Sequence, residues 1–472
     1  IASPLVNLPL DQIELMPFAA ATASAAIPAA TDVAGWVGLL RTVTVTFTAV
    51  PDGVAAGQYA IINGEQYPIV ATTATTVTLE YSSLLADPTG TPVVQFALWR
   101  FAGKYRGLSS YSRASRKTYI DPLTGQVTGA PAGFPAFERM ADGGIGLLLE
   151  GSSTNLLLDS EAFDSANWTK SGLDAATPII ANAIAAPDGS MTADGLKEDA
   201  ANTWKNIAQG GITANAGETI TFSVYLKAGT QSWAGLTIRD GVSYLHTPFD
   251  LANGQVGTVA TGVTAKIEAA ANGFYRCSVT YTIQTGLTSV LIYVYNSATP
   301  GLYIGTGATA IYVWGAQIEA LPFATSYIPT TTTTVTRAVD MLSIPAPGNI
   351  YPAQTERTII LDTDVLGLFS NITQYIWATD QLYDSMVINT AGMAGAQNGA
   401  GGWSNTAQVG DGNVHRAAAV VNPGGATHYV AADGIIPTNT AYPTAAATGT
   451  PTRLYIGSYS SGANHLYGHI RN

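Results

Sequence analysis

The chain has 472 residues, of which 11% are charged, 47% are hydrophobic and 49 are glycine. A disordered chain combines low hydrophobicity with high net charge, and a helical protein covers its solvent faces with charged residues, so this composition argues against both. The formal net charge of −12 argues against nucleic acid and anionic membranes as partners, because both need clustered lysine and arginine. Abundant threonine, valine, isoleucine and tyrosine, with glycine, proline and asparagine for turns, predict an all-β protein.

Residues 1–33 are predicted to form an extended arm rather than a folded unit. Prolines interrupt residues 1–10, and residues 19–30 are rich in alanine, threonine and proline. Such a terminus either frays or becomes ordered against a partner, and its leucine and isoleucine residues favour a partner. We therefore expect an N-terminal attachment arm.

Residues 34–101 are predicted to form a small β-barrel. Apolar and polar residues alternate with a period of two, as in residues 42–48 and 93–99. Turn sequences, including Asn63-Gly64, separate the alternating stretches. Short strands at this spacing indicate a spacer or docking module, and no site is predicted in it.

Residues 102–154 form a junction rich in glycine, serine and proline, and they begin a series of motifs. Residues 111–125 read YSRASRKTYIDPLTG, and residues 146–160 read GLLLEGSSTNLLLDS. Further along come YVWGAQIE at 312–319, ATSYIPT at 324–330 and VTRAVD at 335–340. This order of motifs, within residues 109–340, resembles that of the head-fibre and tail-fibre structural proteins of bacteriophages.

The resemblance implies a virion protein on the surface of a phage particle, assembled in the cytoplasm of the host bacterium. It further implies attachment to capsid or tail proteins through residues 1–101, association as a homotrimer, and adhesion to host-surface or environmental glycans. The absence of a basic-then-apolar leader and of a membrane-length apolar run agrees with this expectation.

Residues 155–329 are predicted to form a jelly-roll β-sandwich from their own pattern as well. Strand candidates at regular spacing are residues 219–226, 234–239, 277–283, 289–295 and 310–314. The single cysteine, Cys277, excludes an intramolecular disulfide and is predicted to be a buried thiol, as Trp314 is predicted to be a core residue.

Residues 330–355 are predicted to be a stiff threonine- and proline-rich linker, followed by a second sandwich over residues 356–472. The stretches HYVAADG at 428–434, RLYIGS at 453–458 and YGHIR at 467–471 resemble strands of concanavalin-like and laminin-G-type lectin domains. Because the last strand has no obvious neighbour, we expect its free edge to be filled by further sequence or by another subunit.

The sequence predicts no enzyme, no cofactor and no metal site. The histidines follow no metal-ligand spacing, no phosphate-binding loop or Gly-x-Ser-x-Gly motif is present, and the acids are scattered and expected to be solvated. Three alternatives stay open: a soluble carbohydrate-binding module, a polysaccharide-cleaving tailspike, and a purely structural decoration protein without glycan binding.

Glycan binding needs exposed aromatic faces beside polar side chains, and several aromatic residues lie in loops or at strand ends among such neighbours. The candidates are Trp403, Tyr429 and Tyr459 in the last sandwich, and Trp204, Trp233 and Tyr244 in the middle one. For each of them alone, packing in the core is the more common fate, because Trp and Tyr are usually largely buried.

Overall fold

The computed structural model describes residues 5–6, 13–101, 110–345, 357–380, 385–398, 402–403, 409–421, 429–434, 452–459 and 464–471. Nearly all regular structure in these ranges is β-strand, with one 3₁₀ turn at Ala271–Gly273. The all-β prediction is therefore confirmed. Within the same ranges, no helix is long and apolar enough to cross a bilayer.

The first part of the chain forms one seven-stranded sheet. The strands of this part are β1 (Leu5–Val6), β2 (Ile13–Thr22), β3 (Thr31–Asp32), β4 (Leu40–Thr46), β5 (Tyr59–Ile62), β6 (Glu65–Thr72), β7 (Thr76–Ser82) and β8 (Val93–Phe101). Their order in the sheet is β2-β8-β5-β6-β7-β4-β3, while β1 belongs to another sheet. Alternate residues of these strands, such as Val43, Val45 and Phe96, form its core.

Most of the predicted arm belongs to this sheet. β2 pairs along its whole length with β8, and Ala23, Ile27 and Ala30 are buried in the same core. The prediction of a separate arm is therefore wrong from Ile13 onward, because these apolar residues are buried here. The predicted barrel is an open sheet over the described residues, since β2 and the two-residue β3 end it without pairing with each other.

The predicted junction is itself rich in strands. They are β9 (Ser110–Ser112), β10 (Lys117–Ile120), β11 (Val127–Ala130), β12 (Phe137–Arg139), β13 (Ile145–Leu149) and β14 (Ser153–Asn155). β10 and β11 form a hairpin whose turn is held by Asp121, which accepts hydrogen bonds from the amides of Leu123 and Thr124. The other strands pair with more distant parts of the chain.

The middle of the chain is a sandwich of two six-stranded sheets. The strands of this region are β15 (Thr169–Ser171), β16 (Ile179–Ile184), β17 (Ala193–Lys197), β18 (Asn202–Thr203), β19 (Lys205–Gly210), β20 (Thr219–Ala228), β21 (Trp233–Asp240), β22 (Ser243–Asp250), β23 (Gln255–Val256), β24 (Thr264–Ala269), β25 (Tyr275–Thr282), β26 (Leu287–Tyr295), β27 (Tyr303–Ile304) and β28 (Thr309–Glu319). β18 and β27 pair with each other as a separate two-stranded sheet. The front sheet has the order β15-β19-β26-β21-β22-β23, and the back sheet has the order β16-β17-β28-β20-β25-β24. Cys277 is fully buried between them and Trp314 is fully buried too, as predicted.

The last sandwich has two seven-stranded sheets. The remaining strands are β29 (Val335–Arg337), β30 (Met341–Pro345), β31 (Arg357–Thr363), β32 (Gln374–Thr379), β33 (Ser385–Ile388), β34 (Ala394–Asn398), β35 (Gly402–Trp403), β36 (His415–Val421), β37 (Tyr429–Ala432), β38 (Arg453–Ile456) and β39 (Gly468–Arg471). One sheet has the order β12-β13-β39-β31-β36-β37, with β1 beside β31, and the other has the order β35-β34-β33-β32-β38-β30-β9.

The last sandwich is therefore not confined to residues 356–472. β9, β12 and β13 come from the predicted junction, and β30 comes from the predicted linker. β39 lies between β13 and β31, so the edge that was expected to need further sequence or another subunit is filled by earlier residues of this chain. The prediction of a spacer at 330–355 is wrong for residues 335–337 and 341–345, which pair as β29 and β30.

Candidate functional site

An aromatic cluster covers the outer surface of the front sheet. On β26, Val290, Ile292 and Val294 are buried in the sandwich core, so the alternate residues Tyr293 and Tyr295 point to the other side. The neighbouring strands add aromatic side chains to the same side. We call this set the aromatic face; it consists of Trp204, Trp233, Tyr244, His246, Tyr293 and Tyr295.

The rings of the aromatic face are stacked. Trp204 and His246 lie with centroids 5.3 Å apart and planes 7° from parallel, and His246 and Tyr244 lie 6.0 Å apart at 13°. Beneath them, Tyr293 and Tyr295 stack at 5.6 Å and 14°. Trp204 meets the edges of both tyrosines. Offset stacked and edge-to-face pairs are the favourable geometries for aromatic rings, so the arrangement is a stable one.

Two local features hold this stack in place. The Tyr295 ring lies over Gly235, where an added Cβ would come 2.2 Å from Cε2 of the ring, so only glycine leaves room for it. The Tyr295 hydroxyl also lies 2.8 Å from Nδ1 of His246, which is 3.0 Å from Oγ1 of Thr237. Burial lowers the pKa of His246, so the ring is mainly uncharged at neutral pH.

The outermost rings stay accessible to solvent. Tyr244 is 44% exposed, while Trp204 and Trp233 are half-buried. Arg239 lies opposite Tyr244 in the strand pairing, with its guanidinium carbon 5.0 Å from the centroid of the tyrosine ring. The surface thus offers aromatic planes beside a cation, the chemistry suited to stacking on apolar ring faces and binding polar substituents.

The structure brings together Trp204, Trp233 and Tyr244, which the sequence identified as separate candidates. Tyr459 lies elsewhere, half-buried against Tyr375 at 5.7 Å. The side chains of Trp403 and Tyr429 lie outside the described residues. The sequence did not identify His246, Tyr293 and Tyr295 as candidates. The alternating stretch 289–295 contained a signal for two of them, Tyr293 and Tyr295.

A second cluster is an ion network buried among the motif segments. It consists of Arg113, Lys117, Glu150, Arg337 and Asp340. The side chains of all five are at most 1% exposed. Buried charges are tolerated only when they are paired and hydrogen-bonded, and the pairing here is dense.

The two carboxylates are the centres of this network. Asp340 accepts from Lys117 at 2.7 Å and from Arg113 at 3.1 Å, and Glu150 lies 2.9 Å from Lys117 and 3.3 Å from Arg337. Burial alone would raise the pKa of Glu150, but Arg337 and Lys117 lower it to about 2. Both carboxylates are therefore ionised at neutral pH, and the network joins the segments around 113–117, 150 and 337–340.

The scattered acids are mostly buried, so the expectation of solvated acids is wrong for them. Asp362 accepts a bidentate hydrogen bond from Arg416 at 2.6 and 2.8 Å, and Asp364 binds His469. Glu198 accepts from the Thr306 amide at 2.8 Å. These carboxylates serve the fold, and among the described residues no group of histidine, cysteine or acidic side chains is arranged to hold a metal ion.

Glu161 and Asp194 differ from the other acids in their ionisation. Burial, with the negative charge of Asp188 nearby, raises the pKa of Glu161 to about 8. Burial also raises the pKa of Asp194 to about 6. The Tyr327 hydroxyl donates to Glu161 at 2.9 Å. A carboxylic acid that keeps its proton near neutral pH has the property required of a general acid.

Comparison with known proteins gives little further information about the function of these residues. No family model and no curated protein matches the chain. Among solved structures, a Trypanosoma rangeli sialidase in complex with the inhibitor DANA matches with 11% identity and a TM-score of 0.24, covering 92% of this chain and 79% of that one. The same sialidase with difluorosialic acid, as a covalent intermediate, matches with 10% identity and a TM-score of 0.20 over the same shares.

These matches correct one expectation. Both matched structures are enzymes, so the prediction of a non-enzymatic chain is withdrawn. TM-scores of 0.24 and 0.20 carry no argument for a sialidase fold or activity in this chain.

Proposed function

We propose that the chain is a structural fibre or spike protein of a bacteriophage virion that binds host-surface glycans through the aromatic face. The observation that supports glycan binding is the stack of Trp204, His246 and Tyr244, whose outer rings are accessible beside Arg239. A sugar ring presents an apolar C–H face to an aromatic plane and hydroxyl groups to polar neighbours, which matches this surface.

The virion assignment is supported by the motif resemblance and by where the motif residues lie. Arg113 and Lys117 come from the first motif, Glu150 from the second, and Arg337 and Asp340 from the last, and all of them belong to one buried ion network. These residues are far apart in sequence, and each of them has its buried charge neutralised by the others. They therefore support a single structural unit. Attachment through residues 1–101 and trimer formation are parts of the same proposal.

Glycan binding is tested with the full chain on an array of bacterial surface polysaccharides. We expect Trp204→Ala and Tyr244→Ala each to weaken binding about five- to 100-fold, if a sugar ring stacked on an aromatic ring contributes on the order of 1–3 kcal/mol, as a nucleobase does. Tyr459→Ala is the matched control, since this tyrosine lies outside the aromatic face. Loss of binding in the control alone would move the site to the last sandwich and overturn the proposal.

The virion assignment is tested by locating the protein. Mass spectrometry of purified particles should detect it, and electron microscopy with a specific antibody should label the particle surface at the head or tail. Sedimentation of the purified chain should give the mass of a trimer. Particles that lack the protein would contradict the assignment, and a stable monomer would contradict the trimer.

A second candidate function is cleavage of the bound polysaccharide. The observation behind it is Glu161, which lies beside Tyr327 and outside the aromatic face, and whose pKa burial and the charge of Asp188 raise to about 8. The test is release of reducing ends from each polysaccharide that binds, comparing the wild type with Glu161→Gln. Release by the wild type that the substitution abolishes, with binding retained, would assign an enzymatic spike; no release would leave an adhesive fibre.

A further inference from the structure

Arg239 gives the aromatic face a positive charge that is not neutralised by any ion pair among the residues that the structure describes. It lies in β21, and its partners across the strands are Tyr244 on one side and Ser289 on the other, neither of which is acidic. Its Nε is buried and has no hydrogen-bond partner among the described residues. The Tyr244 ring lies 5.0 Å from the guanidinium carbon and holds it at the surface.

The acid next to it in sequence does not serve as its partner. Asp240 points to the opposite side of the strand and is 4% exposed. Its carboxylate accepts hydrogen bonds from the amides of Gln284, Thr285 and Gly286, at 2.7, 2.9 and 2.8 Å. The negative charge of Asp240 is thus used to fix that loop, and the charge of Arg239 stays directed to the aromatic face.

This local charge is opposite in sign to that of the whole protein. The chain carries a formal net charge of −12, which on the whole disfavours the approach of anionic ligands. A guanidinium group offers several N–H donors in a fixed plane and pairs with carboxylates through two parallel hydrogen bonds. An arginine that has no anionic partner among the described residues, next to rings suited to sugars, is therefore free to pair with an acidic group of a ligand.

We infer that the glycan bound by the aromatic face is acidic, and that a sugar carboxylate pairs with the guanidinium of Arg239 while a neighbouring ring stacks on Tyr244 or Trp204. This inference rests on the proposed function and specifies the ligand of the same site. Uronic acids, nonulosonic acids and pyruvate ketals share the carboxylate that Arg239 would bind. The site therefore selects the carboxylate group that these sugars share, and not one particular sugar.

The experiment uses the full chain and a set of acidic bacterial polysaccharides, each paired with the neutral polymer made from it by carboxyl reduction. We expect binding to the acidic polymers and a loss of about 10- to 100-fold on carboxyl reduction, the range of a charge-assisted hydrogen bond. Arg239→Gln should cause a loss of the same size, and Arg239→Lys a smaller one. Rising salt should weaken binding of the wild type more than that of Arg239→Gln.

Lys266→Gln is the matched control. Lys266 is a cation of the same sandwich on the back sheet, 2.7 Å from Glu268, with its side chain 61% exposed. Its substitution removes the same charge and should leave binding unchanged. Equal binding to acidic and reduced polymers, or equal binding by wild type and Arg239→Gln, would overturn the acidic ligand while glycan binding stood. Failure of every polymer in the set to bind would overturn both proposals.

Discussion

Lys117 and Asp340, which are 223 positions apart in the chain, form an ion pair of 2.7 Å whose two side chains are completely shielded from solvent. Asp340 also accepts from the backbone amide of Glu150 at 2.9 Å and from the Tyr111 hydroxyl. The carboxylate of Asp340, between β29 and β30, therefore joins the segment that follows the middle sandwich to the segment that precedes it.

Lys117→Met should destabilise the protein strongly. The substitution keeps most of the side-chain volume but leaves Asp340 and Glu150 buried with less positive charge around them. Removing one partner of a buried ion pair costs about 3–5 kcal/mol in the free energy of unfolding. The measurement is thermal and urea unfolding followed by circular dichroism.

Lys266→Met is the control for this change, because its pair with Glu268 is exposed on both sides. We expect a change of at most about 1 kcal/mol, since exposed ion pairs contribute little. If the two substitutions lowered the unfolding midpoint equally, the buried network would not have the role assigned to it.

Alkaline pH should destabilise the last sandwich through His469. Burial alone would lower the pKa of this histidine, but hydrogen bonds to Asp364 and Glu138, at 2.9 and 3.1 Å, and their charges raise it to about 10. A group whose pKa is raised on folding stabilises the fold fully below its unfolded value, here 6.5, and this stability is lost as the pH rises toward 10. The loss should be on the order of a few kcal/mol.

The measurement is the unfolding midpoint of wild type and His469→Gln between pH 6 and 10. The wild type should become less stable over this window, and the variant should start less stable and change less. His415 is a useful comparison: burial would lower its pKa, but hydrogen bonds to Asp411 and Asp433 raise it, so His415→Gln should remove a smaller part of the same slope. A wild-type midpoint that stays constant to pH 10 would rule out the charged His469.

Gly235→Ala should disturb the aromatic face without unfolding the sandwich. The new Cβ would lie 2.2 Å from the Tyr295 ring, so the ring must move and its contact with His246 is lost. Overpacking of this kind costs about 1–3 kcal/mol. Because Trp204 rests on Tyr295 and His246, glycan affinity should fall more than stability does.

Gly301→Ala is the control, because a Cβ at this position meets no atom within 4 Å. We expect normal binding and stability from it. Affinity is measured by titration calorimetry with a polysaccharide that binds the wild type, and stability by thermal unfolding. Normal binding by Gly235→Ala would show that the order of the stack is not required.

Strand positions could be predicted from the sequence where a period of two was clear. The stretches 219–226, 277–283 and 289–295 correspond to β20, β25 and β26 to within two residues at each end. The alternation also implied which side chains of β26 point outward, but not that Trp204 would cover them. That contact joins strands far apart in sequence, and packing between such strands leaves no local pattern.

The pairing partners of the strands could not be predicted from the sequence either. β39 was expected to have a free edge, because no neighbouring stretch of sequence supplies a partner for it. Its partner β13 is more than 300 positions earlier, as shown by the pair of Leu148 and His469. The motifs were recognised from their order along the chain alone. The ion network that their charged residues form could be seen only in the tertiary structure.

The same pairing predicts which fragments fold. Residues 356–472, the predicted last domain, lack β9, β12, β13 and β30, which belong to its two sheets. They also lack fully buried core residues, namely Leu147, Leu149, Leu342 and Ile344. Because truncating one such residue costs about 2–5 kcal/mol and a whole domain is stable by only about 5–15 kcal/mol, this fragment should not fold.

Residues 110–472 contain all of these strands and should fold. Circular dichroism and amide-proton chemical-shift dispersion would distinguish the two fragments: a cooperative thermal transition is expected for the longer one and none for the shorter. The substitution Ile470→Asp in the longer fragment supplies an independent check, because Ile470 pairs with Leu147 and is fully buried in the same core. If residues 356–472 melted cooperatively at the temperature of the longer fragment, the strands from 110–149 and 341–345 would be dispensable, and the last sandwich would be a domain with the boundaries that the sequence predicts.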